Sequence, residues 1–170
     1  MTAYVALLRA VNVGGRKLPM ADLKAIAEKL GLEKARTYIA SGNLLFASSM
    51  SQNTVATALE AELSKHMGAD VPVLVRTAKE MAAVVTANPF DEEAPNKVVA
   101  IFLADAPPKD AMTQAKNVAD ERMALGKREI YVHYPSGQGR SKLKIPAAAA
   151  GTARNMNTVA KLADLAGEYE

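Results

Sequence analysis

The sequence predicts an α+β fold made of two related β-α-β-β-α-β halves, the second lacking its last strand. Apolar runs of strand length open both halves, "YVALLRA" at 4–10 and "VVAIFLA" at 98–104. A strand-turn-strand pattern follows each of them, and segments with one apolar helical face separate the strands. Residues 1–77 form the first half and 96–170 the second, with a bridging helix and linker at 78–95.

The elements follow in order. Residues 4–11 are continuous and apolar, as a strand buried on both faces requires. Pro19 suits a first helical turn, and Met20, Leu23, Ile26, Ala27 and Leu30 share one face before Gly31 closes the helix. Residues 35–40 and 44–48 read as a hairpin around Ser41-Gly42-Asn43. Ser51 caps a helix whose Val55, Leu59, Leu63 and Met67 line one side, and residues 71–76 return as a strand. Thr77 and Glu80 have the spacing of a capping box for a helix at 78–88, and "NPFDEEAP" at 88–95 ends it. In the second half Pro107-Pro108 opens a helix to about Asn117. Residues 121–125 and 128–134 form a hairpin with a two-residue turn at Gly126-Lys127, and a last helix at 158–166 has Asn157 or Thr158 as its N-cap. This order is the split unit of a ferredoxin-like fold.

Composition narrows the chemistry. The chain has 170 residues, 49% of them apolar, with three Phe, five Tyr and no Trp, so its core is aliphatic. It has no cysteine, which excludes disulfides, thiolate zinc sites and thiol nucleophiles and fits a cytoplasmic setting. No stretch approaches the roughly 20 apolar residues of a membrane helix. The histidines, His66 and His133, lack a partner at metal-ligand spacing, so no metal site is expected, and no cofactor is indicated. The acids Asp91, Glu92 and Glu93 read as a solvated linker.

Charge is unevenly placed. The net charge is only +3, yet residues 1–21 carry Arg9, Arg16 and Lys17 with no acid, and residues 130–163 carry Arg140, Lys142, Lys144, Arg154 and Lys161 with no acid. Clustered cations attract anions through their summed field. In "NVGGRKLP" at 12–19, Asn12, Gly14, Gly15, Arg16 and Lys17 stand between a strand end and a helix start, where free amides and the helix dipole favour an anion. Arg9 sits in the preceding strand, where a guanidinium must meet a carboxylate, carbonyls or a bound anion. "YPSGQGRSKLK" at 134–144 repeats the pattern with Arg140, Ser141 and Lys142, and "GTARNMNT" at 151–158 does so with Arg154, Asn155 and Asn157. These residues make a small phosphate-bearing or nucleotide-like ligand the expected partner. The alternatives are a transferase or hydrolase of a phosphorylated substrate, with Ser141 or Lys142 reactive, and sequence-independent nucleic-acid binding. The strand "NLLFAS" offers only Phe46 for base stacking, against the several aromatics of an RNA-recognition sheet.

"LLRAVNVGGRKLPM", "TYIASGNLLF" and "GRSKL…TARNMNTVAKLADLA" together resemble the DUF1697 family across nearly the whole chain. The resemblance implies a small α+β protein with ferredoxin-like halves and brings no established activity, cofactor or catalytic residue. The family pattern has Gly at the position of Ala10 and Trp at that of Met156.

Overall fold

The computed structural model describes residues 1–9, 17–40 and 42–169. The chain divides into two compact units, Met1–Ala82 with Leu162–Glu170, and Ala83–Lys161. Among the described residues each unit carries a four-stranded antiparallel sheet, and the chain has four α-helices.

In the first unit β1 (Thr2–Leu8) lies between β3 (Asn43–Ser48) and β4 (Val73–Thr77), with β2 (Glu33–Thr37) outside β3. Every residue of β1 after Thr2 is buried, as the continuous apolar run requires. The helices α1 (Met20–Lys29) and α2 (Gln52–Met67) connect the strands. Their Leu23, Ile26, Val55, Leu59 and Leu63 pack in one cluster with Tyr4, Ala6, Leu8, Leu44 and Phe46 of the sheet. Their ends are set by local chemistry. The Gly31 N–H donates to Glu28 O and the Leu32 N–H to Ala27 O, with Gly31 at φ +77°, which is a Schellman stop. Ser51 Oγ accepts from the Thr54 N–H at 3.2 Å and caps α2. The expected capping box precedes α3 (Ala78–Thr86): the Thr77 N–H donates to Glu80 Oε1 at 2.9 Å, and the Glu80 N–H to Thr77 Oγ1 at 3.0 Å.

The second sheet repeats the order of the first, β6 (Arg122–Leu125), β7 (Glu129–His133), β5 (Val98–Phe102) and β8 (Thr152–Asn155). The expectation of an incomplete second half is therefore corrected: its fourth strand is present as β8, and the two connecting helices are what it lacks. Residues 107–117 form turns, not the expected helix. Helices are held mainly by an apolar face against a core; from Pro107 to Asn117 only Ala111 is buried. The hairpin turn is shifted by one residue from Gly126-Lys127: Leu125 pairs with Ile130 and the Gly126 N–H donates to Glu129 O, which leaves Lys127-Arg128 at the tip. α4 (Met156–Gly167) starts before its expected boundary: Asn155 Oδ1 accepts from the Thr158 N–H at 3.0 Å, so Asn155 is the cap.

Tyr131 of β7 is 1% exposed, and its hydroxyl donates to Val84 O at 2.7 Å. Burial, with a smaller effect of Glu129, pushes this phenol up from 10.0 to about 12. The folded state thus keeps a proton that the unfolded chain has already lost, so the contribution is full below pH 10 and vanishes as pH rises through about 12. Arg154, lowered by burial, acts in the opposite sense over the same range. Tyr131→Phe isolates the phenol: the stability gap between wild type and variant is expected to narrow between pH 10 and 12 in denaturant titrations. A gap that stays constant would show an unshifted phenol.

Candidate functional site

Of the amino-terminal candidates, Asn12, Gly14, Gly15 and Arg16 lie outside the described residues. Lys17 is exposed. β1 ends at Leu8, so Arg9 stands just past the strand, half-buried, with its N–H donating to Pro72 O at 3.0 Å.

The carboxy-terminal candidates fall in the second unit, where the segment after β7 is tied down residue by residue. The Gly137 N–H donates to Tyr134 O at 2.9 Å, with Gly137 at φ +90°. A short 3₁₀ turn, Gln138–Arg140, follows; the Arg140 and Ser141 N–H groups donate to Gly137 O and Gln138 O. These three amides are committed within the turn and are not free for an anion.

Arg140, Ser141 and Lys142 line a recess of about 410 Å³ together with Asp120, Glu121 and Ser136. The acids there form no ion pair with the cations among the described residues. Ser136 Oγ donates to Asp120 Oδ2 at 2.6 Å. Ser141 Oγ donates to Glu121 Oε2 at 2.5 Å, and the Ala119 N–H donates to Glu121 Oε1 at 2.7 Å. The Ser141 bond, then the Ala119 amide, hold the Glu121 carboxyl below its ordinary range. Ser141 Oγ also accepts from the Leu143 N–H at 3.1 Å. Lys116, Arg140, Lys142 and Lys144 are exposed, and none forms an ion pair among the described residues.

Arg154, Asn155 and Asn157 do not line this recess. Arg154 is buried on β8 opposite Ala100, its Nη1 donating to Ala153 O at 2.9 Å, and burial pushes its guanidinium from 12.5 down to about 10. Asn155 caps α4, and Asn157 is exposed in that helix's first turn. Met156 is 4% exposed, so a larger side chain at this position would start from a buried place.

One cluster escaped the sequence reading. Glu93, expected in a solvated linker, lies 3.3 Å from Arg122 Nη2 and 3.4 Å from Nε2 of His133. Arg122 also stands over the Phe90 ring, 5.2 Å from its centroid, and 3.3 Å from His133 Nδ1. With Nδ1 accepting from the guanidinium, the imidazole proton sits on Nε2 toward Glu93. The acidic linker is thereby clasped to the β6–β7 hairpin. The only sequence signal was the run of Phe90 and acids before a strand with an inward histidine. Among the described residues no group of three or more His, Asp or Glu could hold a metal ion, and no helix is long and apolar enough to cross a membrane.

A family model described as a protein of unknown function, DUF1697, matches residues 1–131. The motifs at 139–166 lie beyond that match. A solved structure, that of the conserved bacterial protein SP0830 from Streptococcus pneumoniae, superposes with a TM-score of 0.82 at 27% identity, covering 98% of this chain and 99% of the other. No protein with a curated description matches the chain.

Proposed function

For this chain, which belongs to the DUF1697 family, we propose a binding function: it holds a small anionic, phosphate-bearing molecule on the 134–144 face of its second unit. One observation carries the reading. Arg140 and Lys142 line a recess and are exposed there with no ion pair among the described residues, its acids being hydrogen-bonded to hydroxyls and an amide instead, so both cationic heads are open to an incoming anion. Arg140 supplies the planar fork that suits a phosphate, and Lys142 a point charge. The ferredoxin-like description of the units is part of the same reading, supported in the first by the element order β-α-β-β-α-β with sheet order β2-β3-β1-β4. The second unit keeps the strand order without the helices.

Inorganic phosphate, AMP and glucose 6-phosphate are expected to raise the melting temperature at millimolar concentration, whereas adenosine and glucose do not. The R140A/K142A pair is expected to weaken the binding by about tenfold or more without changing the ligand-free melting temperature, since charged hydrogen bonds contribute roughly 1.5–3 kcal/mol each. The sequence segment 12–17 carries the same residue types and is tested in parallel with R16A/K17A. No response to any of the three anions overturns the proposal.

The short Ser141–Glu121 contact favours a second reading, a transferase or hydrolase with Ser141 as nucleophile and Glu121 as base. A carboxylate held below its ordinary range is a weak base at neutral pH, and the Leu143 amide draws on the same oxygen. Turnover of a phosphate ester that S141A abolishes would establish the enzyme. Non-specific nucleic-acid binding would instead show steep loss with salt and no preference among bases.

A further inference from the structure

The two units treat the same sheet face differently. In the first, α1 and α2 seal Tyr4, Ala6, Leu8, Leu44 and Phe46. In the second, the matching face presents Val99, Ile101, Leu103, Ile130 and Val132. Turns at 103–121 and irregular backbone at 134–151 lie where the first unit has its helices. This covering leaves a second recess, about 440 Å³, bordered by Ile101, Tyr134, Leu143, Ile145 and Ala148. That volume falls in the range of small-molecule sites, roughly 300–1,000 Å³.

Among the described residues, the only charged ones lining this recess are Lys116 and Lys144. The two form an isolated antiparallel bridge: the Lys116 N–H donates to Lys144 O at 2.8 Å and the Lys144 N–H to Lys116 O at 2.9 Å. Residues paired in this way face each other directly, and like charges so placed repel. Neither ammonium has an acidic partner among the described residues. A single anion between them would relieve that repulsion.

We propose that this recess binds an amphipathic carboxylate of medium chain length, its chain over Ile101 and its carboxylate between Lys116 and Lys144. The inference rests on the reading that this face of the second unit takes an anion, and adds to it the apolar body and the lysine pair. An apolar wall bordered by two point cations favours a ligand that carries its charge at one end of an apolar body, because charge set against the apolar wall would be desolvated without a partner.

Calorimetric titration of the full chain compares octanoate with acetate, which has the charge without the chain, with octanol, which has the chain without the charge, and with inorganic phosphate. Octanoate is expected to bind at least about tenfold more tightly than acetate or octanol. K116E/K144E is expected to weaken octanoate by a similar factor, while phosphate binding continues to depend on Arg140 and Lys142. Ala148→Leu, which fills the recess, is expected to abolish octanoate binding and leave the phosphate response; Ala149→Leu serves should the first variant lower the melting temperature. Octanoate no better than acetate, with phosphate still bound, overturns the amphipathic ligand and leaves the broader proposal standing. Octanol equal to octanoate and indifferent to K116E/K144E overturns the lysine pair as the anion site. Failure of every anion, phosphate included, overturns both.

Discussion

Gly151→Ala is expected to lower the melting temperature by roughly 2–12 °C, because overpacking a filled site costs about 1–3 kcal/mol and each kcal/mol moves a chain of this size by about 2–4 °C. A Cβ at residue 151 would stand 2.7 Å from Ile101 Cγ2, 2.9 Å from Leu103 Cδ2 and 2.9 Å from Phe102 O. The Phe102 carbonyl is backbone of β5 beside β8 and cannot step aside without disturbing the Phe102–Thr152 pair. The Ile101 methyl belongs to a β-branched side chain with few alternative rotamers. Gly139→Ala is the control. A Cβ there meets nothing within 4 Å, so this variant keeps its melting temperature or gains slightly. Equal losses at both positions would show that chain flexibility, not close approach, explains Gly151.

What could be read from the sequence follows from the range of the interactions involved. The helices of the first unit were legible because their ends are written locally. Gly31, Ser51, Gly68 and the Thr77–Glu80 pair each act within a few residues, and the apolar stripes match what the core buries. The second unit was harder because distant contacts decide it. Lys116 is held by Lys144 in a bridge that closes the 103–121 segment as irregular backbone, and nothing near Pro107 announces it. β8 was missed since Thr152–Asn155 is short and sits after an alanine run with proline and glycine at its ends; only pairing with β5 makes it a strand. The site divides in the same way. Arg140, Ser141 and Lys142 are neighbours in the chain and share a recess, whereas the engagement of Ser141 by Glu121 joins segments that sequence spacing cannot bring together. Arg154 looked like one more loop cation and is instead a buried strand residue.

Phe46 connects the fold to the nucleic-acid alternative, and its truncation is expected to have the larger effect on stability. It is 0% exposed, lies directly across from Tyr4 in the β1–β3 register, and its ring centroid is 5.6 Å from that of Tyr4. The Tyr4 hydroxyl donates to Met50 O at 2.8 Å, so the partner ring is itself fixed. Phe46→Ala removes the centre of the first unit's core, for which about 3–5 kcal/mol is the usual cost, and a drop in melting temperature of roughly 10 °C or more follows. Phe46→Leu refills most of the volume, is expected to cost under about 1.5 kcal/mol, and keeps the chain folded for a binding assay. A base can stack only on a ring whose face reaches solvent. Phe46 has none, so oligonucleotide affinity is expected to be the same for wild type and Phe46→Leu at every salt concentration. A folded Phe46→Leu protein that loses oligonucleotide binding would mean that the ring leaves the core to meet a base, and the packing described for this sheet would then be only one of its states.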